Sequence, residues 1–188
     1  MYDFVAIPDN AVPRAACALA QPMLETYVSE TNKVASVWRE FADADLAYRP
    51  HPSATPVGGI LKHQLLSERR FFAEFLGLSE PPADRVLPPQ TTAAAFVERL
   101  VELARPRPAW LAPQPEAWWL EARPFFDVTR SRAWIFWRRV LHTAHHRTQL
   151  TVYLRTMGRR VPSTYGPTAD VTWTSADPTT SVDAAGRT

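Results

Sequence analysis

Three histidines have the type and spacing to hold a metal ion. His142 and His146 are four residues apart in SRAWIFWRRVLHTAHHRTQLTVYLRTMG, residues 131–158. On a helix they sit one turn apart on the same face, so both imidazoles can reach one ion. His63, in GGILKHQLLSE, becomes the third ligand if its helix lies beside theirs. Three neutral imidazoles leave a divalent ion its full charge and an open coordination position, whereas closed structural sites have four protein ligands. An ion held this way polarises a carbonyl, or lowers the pKa of water or of a thiol. Imidazole suits several transition metals. Zinc is the default because it needs no redox chemistry, with nickel and iron as the other candidates.

The residues also allow a plainer reading, in which His63 is a hydrogen-bonded core histidine and the His142/His146 pair a coincidence of spacing. His145 is rotated about 100° from His146 and is expected to point away from the ion. His51 lies in a proline-rich loop and receives no role. On the His142/His146 face, Arg138 could hold a substrate carboxylate or pair with Glu68. Gln149 and Tyr153 could orient water or substrate at the metal, or Tyr153 could simply pack in the core. Glu68 is a candidate general base only if it turns inward. No residue is assigned a catalytic role. Trp134 and Trp137 read as core or dimer contacts.

Four helices are needed to position this set. The first runs from Gln21-Pro22 through Ala42, with Leu24, Tyr27, Val28, Val34, Ala35, Trp38 and Phe41 as its apolar stripe and Glu25, Glu30, Lys33 and Arg39 as its polar face. The second starts with Thr55 as cap and Pro56 as first helical residue, and ends at Gly77. Gly58 and Gly59 near its start suggest close approach of another backbone. The third begins at a Thr91 or Thr92 cap and ends near Arg105. The fourth is capped by Ser131 and terminated by Gly158. Between the last two, residues 106–130 are too apolar for a solvated linker. They read as a lid or satellite cluster, with WWLEA as a short strand.

The fold class expected is all-α, a four-helix bundle. A helix of about 20 residues is roughly 30 Å long, and an extended 13-residue connection reaches about 43 Å. The proline-rich segment 78–90 can therefore return along the whole bundle. That makes helices 2 and 3 parallel, in an up-down-down-up order with a long crossover. Residues 1–173 form a single domain in this reading, and 174–188 a flexible tail.

Bulk properties exclude several function classes. The chain has 188 residues, 46% of them hydrophobic, with a formal net charge of +2. That charge is too small, and the arginines too scattered, for a nucleic-acid surface. A single cysteine, Cys17, rules out an internal disulfide. No apolar run is long enough to span a bilayer. The proline-broken N-terminus does not resemble a signal peptide, so a cytoplasmic location is expected.

Three segments carry a family resemblance: LAYRPHPSATPVGGILKHQLLSERRFFAEFLG, RRVLHTAHHRTQLTVYLRTMG and VPSTYGPTAD. A helix-2 histidine, a later HxxxH and a YGPxxD-like turn together resemble the DinB-like (DinB/YfiT-like) superfamily of damage-inducible four-helix-bundle metalloenzymes. The resemblance implies parallel helices 2 and 3 and a divalent metal at His63, His142 and His146. It also implies a homodimer acting on a small molecule. Where the family often has HHRGQ, this chain has Thr148, which adds a side chain near a close helix contact. One implied activity is S-transfer dependent on a low-molecular-weight thiol; Cys17 lies outside the helical motifs, so that thiol would come from outside. The alternatives are a metal-dependent hydrolase and a non-catalytic, stress-related metal-binding protein. No GxSxG elbow supports a serine hydrolase.

Overall fold

The structure, a computed structural model, describes residues 4–171. The expected tail at 174–188 lies outside the described residues. Four long helices dominate: α1 (Gln21–Trp38), α2 (Val57–Arg70), α3 (Ala93–Ala104) and, after two short helices and a hairpin, α6 (Arg132–Thr156). The short helices are α4 (Arg107–Leu111) and α5 (Glu116–Leu120). The hairpin pairs β1 (Ala122–Phe125) with β2 (Val128–Ser131), antiparallel, with Phe125 opposite Val128.

The helix ends have local causes. The Thr92 hydroxyl accepts from the Ala95 amide at 3.1 Å, and the Ser131 hydroxyl from the Trp134 amide at 3.2 Å, each satisfying a donor that the first turn leaves open. Gly77 and Gly158 follow their helices with φ of +82° and +67°, the left-handed conformation that ends helices most cheaply at glycine. At the start of α2, a Cβ on Gly58 would come within 3.2 Å of the Leu46 carbonyl oxygen. The close approach expected there is made by the loop before the helix.

Several expectations need correction. The all-α expectation gives way to a mostly helical chain with a small two-stranded sheet. WWLEA is not a strand: Pro115 caps α5, and Trp118, Trp119 and Leu120 are helical. Trp119 is fully buried and meets Phe136 of α6 ring edge to face at 5.6 Å, so this segment is core rather than a satellite. The first helix stops at Trp38. Pro56, not Thr55, occupies the N-cap of α2. Beyond Arg70 the chain widens into a π turn, Phe71–Phe75, where the Leu76 amide donates to the Phe71 carbonyl at 3.1 Å.

Among the four long helices, α1 packs on α6 and α3, and α2 packs on α6 and α3. Tyr27 meets Phe136 and Glu30 meets Arg147, so α1 and α6 run the same way. His63 lies at His142 while Glu68 lies at Arg139, so α2 runs against α6. Two apolar clusters fill the interior, one around Met23, Leu24, Phe72 and Phe136, the other around Trp38, Ile60, Leu61 and Leu150. Between them, the same helices bury Glu30, Asn32, Lys33, Gln64, Glu68, Arg139 and Arg147. Glu30 and Lys33, read as part of the polar face of the first helix, are thus buried: the middle of α1 is covered all round. The histidines open off this polar layer.

Candidate metal centre

His63 from α2 and His142 and His146 from α6 bring one nitrogen each into a group whose members all lie within 4.8 Å of one another. His142 Nε2 is 3.4 Å from His63 Nε2 and 3.2 Å from His146 Nε2. Zinc–nitrogen bonds of about 2.0–2.1 Å at tetrahedral angles put ligand nitrogens about 3.3 Å apart. The separations fit that edge length. His63, which the plainer reading puts in the core, is solvent-exposed, while the other two are half-buried. The group is thus reachable from outside. His145 is exposed and lies outside the group, its ring 5.0 Å from that of His146.

All three rings are biased toward the neutral form that a metal ligand needs. Burial pushes His142 down to about 3, helped by Arg139, His146, His63 and Arg138. Burial also lowers His63, with Arg139 adding to it. His146 is lowered by burial against the opposing effect of its hydrogen bond to Gln149, with His63, His145 and Arg139 contributing.

The surroundings of the two helix-α6 histidines differ. His146 Nδ1 is 3.0 Å from Gln149 Oε1, an acceptor, so Nδ1 carries the proton and Nε2 keeps its lone pair. Gln149 Nε2 donates to the Tyr153 hydroxyl at 3.2 Å, which donates to the Thr55 carbonyl at 3.1 Å. This chain anchors the ring to the backbone before α2, as ligand-orienting partners commonly do. His142 instead has Arg139 Nη1 3.0 Å from Nδ1, and the Phe71 ring stacked at 6.4 Å and 17°.

Arg138 is exposed, and the expected pairing with Glu68 belongs to its neighbour: Arg139 Nη2 is 3.3 Å from Glu68 Oε2. At about 100° per residue, Arg139 lies about 40° from the midline of the His142/His146 face and Arg138 about 60°. The helical angle was the signal that favoured Arg139. Glu68 does turn inward, but Tyr27 and Arg107 each bind Oε1 at 2.7 Å. Burial would raise its pKa; Arg107 and Arg139 outweigh that and hold it below the ordinary carboxylate value. A carboxylate so engaged is a poor general base. Arg107, which also grips Glu80 at 2.7 and 2.8 Å, stands in a proline-rich stretch with no distinguishing pattern. Thr148 is exposed, so the departure from HHRGQ places no side chain in a buried helix contact.

The DinB family model matches residues 16–177. The chain belongs to the DinB family. It is similar to a solved DinB-like protein from Bacillus cereus, with a TM-score of 0.65 and 20% identity over 76% of this chain and 95% of the other. A DinB-like protein from Bacillus subtilis aligns with a TM-score of 0.53 and 17% identity over the same shares. At these identities the likeness establishes the fold alone. No curated protein matches the chain. Among the described residues of this DinB-family chain, no helix is long and apolar enough to cross a membrane.

Proposed function

We propose that this DinB-family chain binds one divalent transition-metal ion, zinc first and nickel or iron next, through His63, His142 and His146, and that it catalyses transfer of a low-molecular-weight thiol to an electrophilic small molecule. The observation that carries the reading is the spacing of the three Nε2 atoms, two of whose separations match the edges of a tetrahedral site. Bound there, the ion would stabilise a thiolate at neutral pH. The chain's own residues supply the rest. Three neutral rings leave the ion's charge uncompensated, Gln149 and Tyr153 fix the His146 ring, and the exposed edge at His63 admits ligands. Cys17 is not placed to supply the thiol: its Sγ lies 3.9 Å from the Gln114 carbonyl oxygen and is not part of the histidine group.

A hydrolase is less well supported because Glu68 is engaged by Arg107, Arg139 and Tyr27. A purely structural ion is less well supported because the histidines open to solvent beside two independent apolar clusters. The accompanying fold reading is an up-down-down-up four-helix bundle; the shared course of α1 and α6 and the opposed course of α2 and α6 support it. A cytoplasmic homodimer belongs to the same reading, and the exposed Trp134 on α6 suits a dimer contact.

Elemental analysis with zinc calorimetry on the wild type and on H63A, H142A, H146A and H145A tests the centre. The expected result is one ion per chain in the wild type and H145A, lost in the other three. Retention of tight stoichiometric binding by H63A would overturn the ligand set. Conjugation of a model electrophile with a panel of thiols, with and without chelator, tests the activity. No metal-dependent conjugation with any thiol would count against transfer while leaving the centre standing.

A further inference from the structure

We infer that Arg139 is a positioning residue that must release His142 before His142 can ligate an ion, so that metal uptake is coupled to the buried Glu68 cluster. The inference rests on the three-histidine centre proposed above.

A guanidinium donates hydrogen bonds and accepts none. Arg139 Nη1 lies 3.0 Å from His142 Nδ1, so Nδ1 must accept. The neutral ring then carries its single proton on Nε2. That proton faces His63 Nε2 at 3.4 Å and His146 Nε2 at 3.2 Å. His146 Nε2 is free to accept, because its own proton sits on Nδ1 against Gln149. The hydrogen bonds are mutually consistent, and they place a proton in the middle of the ligand set.

Ligation needs the Nε2 lone pair of His142. The ring's proton must then move to Nδ1, through exchange with water, with none gained or lost overall. Left where it is, Arg139 would oppose Nδ1–H with an N–H at 3.0 Å, donor against donor. The structure offers the guanidinium another place. Its Nη1 also donates to Ser67 Oγ at 3.0 Å, its Nη2 reaches Glu68 Oε2 at a long 3.3 Å, and its Nε is buried without a partner. Glu68 Oε1 already takes Tyr27 and Arg107, so Oε2 is the acceptor with capacity. A shift of Arg139 toward Glu68 shortens an existing ion pair and frees Nδ1. His146 needs no such movement, since Gln149 already presents an acceptor.

The test is the tautomer of each ring, read from nitrogen-15 NMR of the full chain near neutral pH, metal-free and then with zinc. Metal-free, His142 should be protonated on Nε2 and His146 on Nδ1; with zinc, His142 should switch to Nδ1–H and His146 should not. R139Q supplies an acceptor, as Gln149 does for His146. It should show His142 as Nδ1–H without metal and bind zinc about tenfold more tightly, the usual reach of a ligand-orienting partner. If R139Q fails to fold, the wild-type tautomers still decide. Zinc binding with His142 already Nδ1–H in the metal-free wild type overturns this inference alone. No zinc binding by the wild type overturns the metal centre and this inference with it.

Discussion

Two buried glutamates, Glu30 on α1 and Glu68 on α2, are held alike and lead to different places. Glu68 is gripped by Arg107, Arg139 and the Tyr27 hydroxyl. Glu30 is gripped by Lys33 at 2.8 Å, Arg147 at 3.3 Å and the Tyr165 hydroxyl. Each cluster lies in the polar layer between the apolar clusters. Around Glu68, the second cation continues to a histidine of the candidate centre. Around Glu30, Arg147 continues to the Thr164 hydroxyl at 3.1 Å, and Lys33 lies 3.5 Å from the Tyr165 ring centre. One charge cluster reaches the metal ligands; the other fastens the segment after α6. A buried ion pair contributes little net stability against an apolar alternative, yet removing one partner is costly because a charge is left behind. Two clusters built alike, each a carboxylate under two cations and a tyrosine, can therefore be separated by substitution.

The largest effect is expected from E68Q, which leaves two buried guanidinium groups without their shared carboxylate. Loss of about 3–5 kcal/mol is expected, read by urea unfolding. E30Q should cost less, about 1.5–3 kcal/mol, the scale of hydrogen bonds to a charged group. Its cluster is roofed by Tyr165, 56% exposed, whereas Tyr27 beside Glu68 is 4% exposed, so water can reach Glu30's partners on rearrangement. Equal costs for the two variants would remove the distinction between a sealed and a roofed cluster.

The next effect concerns the ion. Q149L removes the acceptor that fixes His146, and zinc affinity should fall about 10- to 100-fold by calorimetry. E30Q should leave zinc affinity unchanged, since its cluster leads to Thr164 and Tyr165 in the segment after α6. A comparable loss in E30Q would mean that both clusters report to the centre.

How much of this was legible beforehand follows from what each residue type announces. Ser131, Thr92, Gly77 and Gly158 mark helix ends by local chemistry, and local chemistry survives folding. His142 and His146 share a face by helical period alone. His63 joins them only because α2 packs on α6, which the family resemblance supplied. Glu30, Lys33 and Arg147 gave no such signal: charged residues at helical spacing look solvated until a neighbour covers them. Arg138 and Arg139 differ by about 100° of helix rotation; that angle already favours Arg139 slightly, and its ion pair with Glu68 decides it. The hairpin was missed because its turn puts Phe126 at φ +52°, where glycine or asparagine is the usual marker.

The pH dependence of metal-free stability should belong to the histidine side of the comparison. His142 is held at about 3 when folded, against an ordinary 6.5. Between those values the unfolded chain binds the extra proton, so stability is present above about 6.5 and is lost as pH falls toward 3. His63 and His146 are lowered too and act in the same direction. Glu68, also lowered from 4.5, adds a further loss once pH falls below that value. H142Q should flatten the slope between about pH 4.5 and 6.5 in thermal melts taken across pH. A slope that survives in H142Q, H63Q and H146Q alike would assign the pH sensitivity elsewhere.

The smallest effect separates the two tyrosines. Y165F removes a hydroxyl donated to Glu30 but keeps the ring against Lys33 and Arg147. A cost of about 0.5–1.5 kcal/mol is expected, with zinc affinity unchanged. Y27F removes a hydroxyl that donates to Glu68 and accepts from Arg107 at 2.9 Å. In that sealed position both partners lose a bond that water cannot replace, so the cost should be about 1–3 kcal/mol. Arg107 and Arg139 should then draw closer to Glu68, and Y27F should shift zinc affinity where Y165F does not. If the two variants match in both readouts, the tyrosines are interchangeable caps on two equivalent ion clusters, and the link from Glu68 to His142 through Arg139 has no energetic consequence.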